Sequence, residues 1–94
     1  MVMLVYNESI ESDVMEMLDK GNLCNYTKIK ETYGKGSTSG THLGDDIWPG
    51  RNNILYIACS DKEADNLISL TRDLRKSLGA EGLKAFSWGL AEIT

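Results

Sequence analysis

Several residue types are scarce in this sequence, and each scarcity excludes a class of protein. The chain of 94 residues has one proline, one histidine and two cysteines. Cys24 and Cys59 do not form a C-x-x-C pair, which argues against a metallochaperone and disfavours a soft-metal site. With a single histidine, no Ser–His–Asp or Cys–His arrangement is evident, so we expect a protein that is not an enzyme. The two thiols are interpreted as reduced cysteines of a cytoplasmic protein.

Long hydrophobic runs and basic clusters are also missing. No stretch approaches the roughly 18 to 20 apolar residues that span a bilayer. The apolar N-terminus lacks the basic region and the cleavage site of a signal peptide. Ten basic residues against fourteen acidic ones give a net charge of −4. Because neutralising phosphates drives most nucleic-acid affinity, a nucleic-acid partner is not expected, whereas a small anionic ligand stays compatible with this charge.

The rest of the composition is that of an ordinary globular protein, with 41% hydrophobic and 26% charged residues. The length predicts a single domain covering residues 1–94. A domain of this size buries only about 60 to 70% of its unfolded surface, so its own core is modest. Association with further copies of the chain would add to its stability.

Hydrophobic patterning predicts four strands and two helices. In chain order, the predicted elements are a strand at 1–6, a helix at 9–20, strands at 26–31 and 54–59, a helix at 60–78 and a strand at 83–90. Gly21 is predicted as the C′ residue of the first helix. Ser60 and Glu63 have the spacing of a capping box at the start of the second.

This βαββαβ order predicts a ferredoxin-like α+β fold, with two helices on one face of a four-stranded antiparallel sheet. That topology places the first and third strands in the middle of the sheet, and these two strands are apolar on both faces. A sheet with one solvated face should alternate between apolar and polar residues. We therefore expect the face without helices to pack on another copy of the chain.

A long glycine-rich connection separates the second and third strands. Residues 32–52 contain five of the nine glycines and the proline. A hairpin would suffice here, and unstructured connections beyond roughly 12 to 15 residues are uncommon unless functional or disordered. Free amides in such a segment can bind an anion, and Lys35 and several hydroxyls accompany them. A second glycine turn at 79–84 could form the other wall of a phosphate site.

Both glycine segments resemble those of one family, the PII signalling proteins and especially their short PII-like relatives. Residues 34–40, Gly-Lys-Gly-Ser-Thr-Ser-Gly, are similar to the G-x-G-x-x-x-G start of the family's long T-loop. The segment at residues 44–53, which includes Trp-Pro-Gly-Arg-Asn at 48–52, resembles a signature of the short relatives. Residues 79–84 are similar to the B-loop, although Lys84 arrives one residue late. Thr38 stands where the family has a glutamine that helps to hold magnesium and 2-oxoglutarate.

The resemblance implies a homotrimer that binds an adenine nucleotide (ADP, AMP or ATP) in the clefts between subunits. It further implies nitrogen-regulatory signal transduction, in which the T-loop, residues 33–52, docks on a membrane transporter or an enzyme. The residues that it assigns to the nucleotide are Gly34, Lys35, Gly36, Ser37, Thr38, Gly40, Gly79, Gly82 and Lys84.

Other families of this fold and size fit less well. An acylphosphatase would need an arginine cradle after the first strand, where the sequence is Tyr-Asn-Glu-Ser. An RNA-binding domain would combine central-strand aromatics with basic residues. A CutA-like trimer linked to metal tolerance is the best alternative, and it would bind metal through His42, Cys24 or Cys59.

Overall fold

A computed structural model describes residues 1–33, 51–78 and 82–94. The elements in chain order are β1 (Val2–Asn7), a short 3-10 helix (Glu8–Ile10), α1 (Glu11–Lys20), β2 (Thr27–Thr32), β3 (Asn52–Ile57), α2 (Asp61–Leu78) and β4 (Leu83–Ser87). The predicted βαββαβ order of the ferredoxin-like fold is confirmed. No helix in the described ranges is both long and apolar enough to cross a membrane.

The four strands form one sheet in the order β2-β3-β1-β4. Every neighbouring pair is antiparallel. The central positions of β1 and β3, predicted from their continuous apolar sequences, are therefore confirmed.

The hydrophobic core lies between the two helices and one face of the sheet. The residues of the central strands β1 and β3 that lie on this helix-covered face are 0 to 1% exposed, and so is Leu67 of α2. The buried hydrophobic residues are Val2, Leu4, Tyr6, Val14, Met17, Leu18, Leu23, Leu55, Ile57, Ala64, Leu67 and Leu83. The stripe predicted for the first helix supplies Val14, Met17 and Leu18, while Ile10 packs against the edge of the core.

The sequence gives a prediction for the start of α2 and one for the end of α1, and only the first is confirmed. The capping box is confirmed, because the Ser60 amide donates to Glu63 Oε1 at 2.9 Å and the Glu63 amide donates to Ser60 Oγ at 3.1 Å. The prediction for Gly21 is wrong: Gly21 is the C-cap, with a right-handed φ of −85°. The left-handed position is taken by Asn22, with φ 57°. Asparagine tolerates this conformation because its short polar side chain can bond locally.

Strand boundaries shift by one to three residues from those expected. β3 starts at Asn52 and ends at Ile57, so Cys59 lies half-buried beyond the strand instead of inside it. β4 ends at Ser87. β2 runs one residue further than expected, to Thr32, and contains a register shift between Ile29 and Thr32. Alternation alone predicts a regular strand and gives no sign of this bulge.

The second face of the sheet, which we call the open face, is apolar and carries no helix. Strand pairing places Ile29, Ile54, Val5 and Lys84 in one row across it. Thr27, Tyr56, Met3 and Phe86 form the next row. Ile29 is 43% exposed and Phe86 is 47% exposed. The central strands thus carry apolar residues on both faces, and packing of the open face on another copy of the chain stays a prediction.

Candidate functional site

The candidate site is built around the carboxyl end of β1, which lies between the starts of β3 and β4. The Asn7 amide donates to the Gly82 carbonyl at 2.7 Å, and the Glu8 amide donates to the Arg51 carbonyl at 2.5 Å. Arg51 lies near the end of the glycine-rich connection (residues 32–52), and Gly82 lies in the second glycine turn (residues 79–84). Because both contacts are made by successive residues of one chain segment, the two connections rejoin the sheet on either side of β1.

Gly82 occupies a position that favours glycine. Its φ is +79°, a left-handed conformation in which a Cβ collides with the neighbouring carbonyl. A Cβ at Gly82 would lie 3.4 Å from the Cβ of Asn7, which is itself only 8% exposed. The Asn7 side chain accepts the Ser9 amide at 2.9 Å and so caps the short helix after β1. Asn7 thus holds this end of the site through its backbone amide, which binds Gly82, and through its side chain, which binds Ser9.

Lys84 lies on the open face of the sheet, on the far side from the helices. It pairs with Val5 and is exposed, whereas the preceding Leu83 points into the core and is 1% exposed. A one-residue step along a strand reverses the direction of the side chain. The late arrival of the lysine in the sequence therefore places its ammonium group on the surface that we expect to meet another copy of the chain.

The remaining predicted ligand residues, Gly34, Lys35, Gly36, Ser37, Thr38, Gly40 and Gly79, lie outside the described residues, as does His42 of the alternative metal site. Of the other two alternative metal ligands, Cys24 is exposed and Cys59 is half-buried. Burial raises the pKa of the Cys59 thiol, with smaller contributions from the carboxylates of Glu63 and Asp61. Within the described ranges, no group of three or more His, Cys, Asp or Glu residues could hold a metal ion.

A polar cluster adjoins the site on the helix-covered face of the sheet, and sequence reasoning missed it. Glu11, in the first turn of α1, accepts hydrogen bonds from the Tyr6 hydroxyl and the Lys28 ammonium group. The Asn53 amide nitrogen also donates to Glu11 Oε1, at 3.4 Å. Tyr6 and Asn53 are each only 1% exposed, while the side chains of Lys28 and Glu11 are 23% and 34% exposed. The cluster joins β1, β2, β3 and α1.

The ionisation states in this cluster are fixed by burial and by its single carboxylate. Burial, followed by the hydrogen bond and charge of Glu11, raises the pKa of Tyr6 well above its ordinary value of 10.0. Burial alone would raise the pKa of Glu11, but the hydrogen bonds from Lys28 and Tyr6 and the positive charge of Lys28 outweigh it, and the pKa is lowered from 4.5. Near neutral pH, Tyr6 is therefore a donor and Glu11 an acceptor.

One signal in the sequence could have revealed this cluster. Tyr6 is the only aromatic residue of β1, and it lies on the face that packs against the helices. A buried tyrosine hydroxyl normally finds a hydrogen-bond partner, so a polar partner near the start of the following helix was to be expected. The role of Asn53 had no such signal, because it depends on the pairing register with β2.

No family model and no curated protein matches the sequence. Solved structures do match. CPII, a nitrogen regulatory PII-like protein from Thiomonas intermedia, bound to ADP, AMP and bicarbonate, is similar with a TM-score of 0.67 and 14% identity, over 90% of this chain and 81% of that chain. CPII bound to ADP and bicarbonate gives a TM-score of 0.66 and 18% identity, over 90% and 78%.

A PII-like signalling protein from Thermus thermophilus matches as well. Its TM-score is 0.57 at 17% identity, over 90% of this chain and 77% of that chain. Similarity at such low identity is similarity of fold. The resemblance drawn from the two glycine segments is thus confirmed at that level, and the chain has the fold of the PII-like proteins.

Proposed function

We propose that this chain is a PII-like regulatory protein that binds an adenine nucleotide at the carboxyl end of β1 and does not act as an enzyme. The observation that carries the proposal is the pair of backbone contacts from Asn7 and Glu8. These contacts bring Arg51 of the glycine-rich connection and Gly82 of the second glycine turn to the same end of the sheet. Glycine-rich segments that present backbone amides are suited to phosphate groups.

The solved structures of similar fold support the choice of ligand. CPII is bound to ADP, AMP and bicarbonate in one solved structure, and to ADP, AMP and acetate in another. An adenine nucleotide is therefore the ligand to test first on this chain. Bicarbonate is a second anion to test, since it occupies CPII together with the nucleotides.

The proposed assembly is a homotrimer in which the open faces of three sheets meet. Ile29 and Phe86 would leave large apolar side chains in water if the chain remained alone. Lys84 is the one charged residue in the two central rows of this face. A continuous apolar surface with few charges is typical of interfaces between identical subunits. In such an assembly the nucleotide would lie in the cleft between neighbouring subunits.

The proposed signalling role follows from the location of the ligand. Residues 33–52 would dock on a membrane transporter or an enzyme in the cytoplasm, and the nucleotide would change how they dock. A ligand shifts such an equilibrium only by the difference between its affinities for the two states. A nucleotide that contacts the chain near both Arg51 and Gly82 would have different affinities for two conformations of residues 33–52.

Titration calorimetry with AMP, ADP and ATP tests the ligand. Binding of at least one nucleotide is expected, and Gly82→Ala should weaken it because an alanine is strained at φ +79°. Gly89→Ala is the matched control, since a Cβ there meets nothing within 4 Å. Gly36→Ala should also weaken binding. No heat with any adenine nucleotide, together with tight copper or zinc binding, would replace this proposal by the CutA-like alternative.

Light scattering tests the assembly separately. The expected mass is that of three chains of 10.4 kDa. A stable monomer at micromolar concentration would contradict the trimer, while leaving the nucleotide titration to be judged by itself.

A further inference from the structure

A strained residue lies at the end of β2, where the chain leads into the glycine-rich connection. Glu31 has a φ of 56°, in the left-handed region that side chains other than glycine rarely adopt. Its amide donates to Asn53 Oδ1 at 3.2 Å, a contact between residues 22 positions apart in the sequence. A conformation that costs free energy persists where the surrounding structure enforces it.

The strain coincides with a β-bulge. Ile29 pairs with Ile54, and Thr32 pairs with Asn52. Two residues of β2, Lys30 and Glu31, are therefore opposite the single residue Asn53. This is the arrangement of a bulge whose first or second residue leaves the extended conformation.

The bulge determines on which face of the sheet the last side chains of β2 lie. In a regular ladder Glu31 would pair with Asn52, but the inserted residue puts Thr32 in that place. Thr32 then shares the face of Ile54, and its hydroxyl donates to the Asn52 carbonyl at 3.0 Å. Since a shift of one residue exchanges the two faces of a strand, the bulge determines that Thr32 lies on the open face at the end of β2.

Asn53 is suited to hold this bulge because its side chain is both an acceptor and a donor. The oxygen receives the Glu31 amide, and the nitrogen donates to Glu11 Oε1. Glu11 is held in turn by the Tyr6 hydroxyl and the Lys28 ammonium group. No buried side-chain nitrogen or oxygen in the described ranges lacks a partner. The amide of Asn53 therefore has a fixed orientation, with its oxygen toward β2.

We propose that Asn53 is a positioning residue for the ligand site. Oriented by Glu11, it holds Glu31 in the left-handed conformation and so fixes the base of the glycine-rich connection for nucleotide binding. The consequence for the ligand rests on the proposed function, whereas the control of the bulge does not. Asn53 itself lies on the helix-covered face and is 1% exposed, so it acts through Glu31 and not by contact with the nucleotide.

The first experiment tests the left-handed conformation at Glu31. Glu31→Gly and Glu31→Ala both remove the carboxylate, but only glycine adopts positive φ without cost. We expect the folding equilibrium constant of Glu31→Gly, from urea denaturation, to exceed that of Glu31→Ala by about five- to thirty-fold. Equal stability of the two variants, or a more stable alanine variant, would overturn the proposal. Both substitutions are mild enough to leave a folded protein.

The second experiment tests the role of Asn53. Asn53→Leu removes both hydrogen bonds of the side chain, and Ile57→Val is the matched control on the same strand and the same buried face. We expect Asn53→Leu to speed hydrogen exchange at the Glu31 amide and to weaken AMP or ADP binding by about five-fold or more. Ile57→Val should leave both readouts unchanged. Adding Glu31→Gly to Asn53→Leu should restore part of the nucleotide affinity, because glycine reaches the left-handed conformation unaided.

The outcomes separate the two proposals. If the wild-type chain binds no adenine nucleotide, the proposed function fails. Whether Asn53 holds the bulge is then still decided by the hydrogen-exchange rate of the Glu31 amide and by the stabilities of Glu31→Gly and Glu31→Ala. If the wild type binds nucleotide and Asn53→Leu binds equally well, the positioning role is wrong. Affinity that falls in Asn53→Leu but shows no recovery with Glu31→Gly also overturns it, since the loss then does not pass through residue 31.

Discussion

The two faces of the sheet carry similar amounts of apolar side chain but differ in what covers them. On the helix-covered face, Leu4 and Leu55 are fully buried. On the open face, their neighbours Met3 and Ile54 are half-buried, although the strands are the same. Sequence hydrophobicity therefore does not distinguish the two faces, and the position of the helices does. The helix-covered face is therefore buried by residues of the same chain, whereas the open face has more apolar surface than one chain can cover.

The largest expected effect is on the helix-covered face. Leu55→Ala removes a fully buried side chain from the centre of the core. It should lower the free energy of unfolding by about 2–5 kcal/mol, measured by urea denaturation. The loss should be the same at low and high protein concentration. A loss that grows on dilution would mean that this face also depends on assembly, and the contrast between the faces would break down.

The next effect is on the open face. Phe86→Glu should cost about 2 kcal/mol or more per interface, because it places a charge in an apolar contact. By light scattering, we expect a shift from trimer to monomer. Lys62→Glu, on the exposed surface of α2, changes charge in the same direction and should leave the mass unchanged. If Phe86→Glu keeps the wild-type mass, the open face is not the interface.

A smaller effect concerns the polar end of the helix-covered face. The pKa of Glu11 is lowered on folding, so its contribution to stability is complete above its ordinary pKa of 4.5 and is lost as pH falls through the lower folded value. Its side chain is 34% exposed, so solvent screening limits the contribution to about 1 kcal/mol or less.

Glu11→Gln should therefore lose less stability than the wild type between about pH 5 and pH 3, as measured by thermal denaturation at each pH. Glu16→Gln, an exposed carboxylate on the same helix, should follow the wild-type curve more closely. Identical pH profiles for wild type and Glu11→Gln would show that the cluster does not stabilise the folded state through this carboxylate.

The smallest effect is expected for Ile29→Thr in the Phe86→Glu background. Ile29 is 43% exposed in the single chain, so a monomer should lose less than about 0.5 kcal/mol. The same substitution in the assembled protein should cost more, because the side chain is then covered. Equal costs in the two backgrounds would indicate that Ile29 lies at the rim of the interface or outside it.

Much of the fold could be predicted from the sequence because its signals are local. The capping box of Ser60 and Glu63 is a pattern of four residues, and the continuous apolar runs identify β1 and β3 as the central strands. The hydrophobic stripe of α1 could be predicted for the same reason, because the helical repeat alone places Val14, Met17 and Leu18 on the face that packs in the core.

The features that escaped prediction depend on contacts between distant residues. At the bulge, the Glu31 amide donates to Asn53, 22 positions away, and the pKa of Glu11 is lowered by hydrogen bonds from Lys28 and Tyr6. The left-handed residue after α1 is Asn22 and not Gly21, because the choice depends on where the last turn ends. At the candidate site, the glycine patterns predict that the two segments form one ligand site, and this stays a prediction. The hydrogen bonds that hold Arg51 and Gly82 beside β1 are made by backbone groups, which have no sequence pattern.

The exposure of Phe86 and Ile29 has a consequence for the life of the chain in a cell. If the open face is completed only by other copies, a newly made chain displays this apolar surface until it finds them. Such a surface is what chaperones bind and what leads proteins to aggregate. An unassembled chain would be removed faster than an assembled one, since degradation follows the population of incompletely folded states. The steady amount of the protein would then be set by how efficiently chains assemble, and not by their rate of synthesis alone.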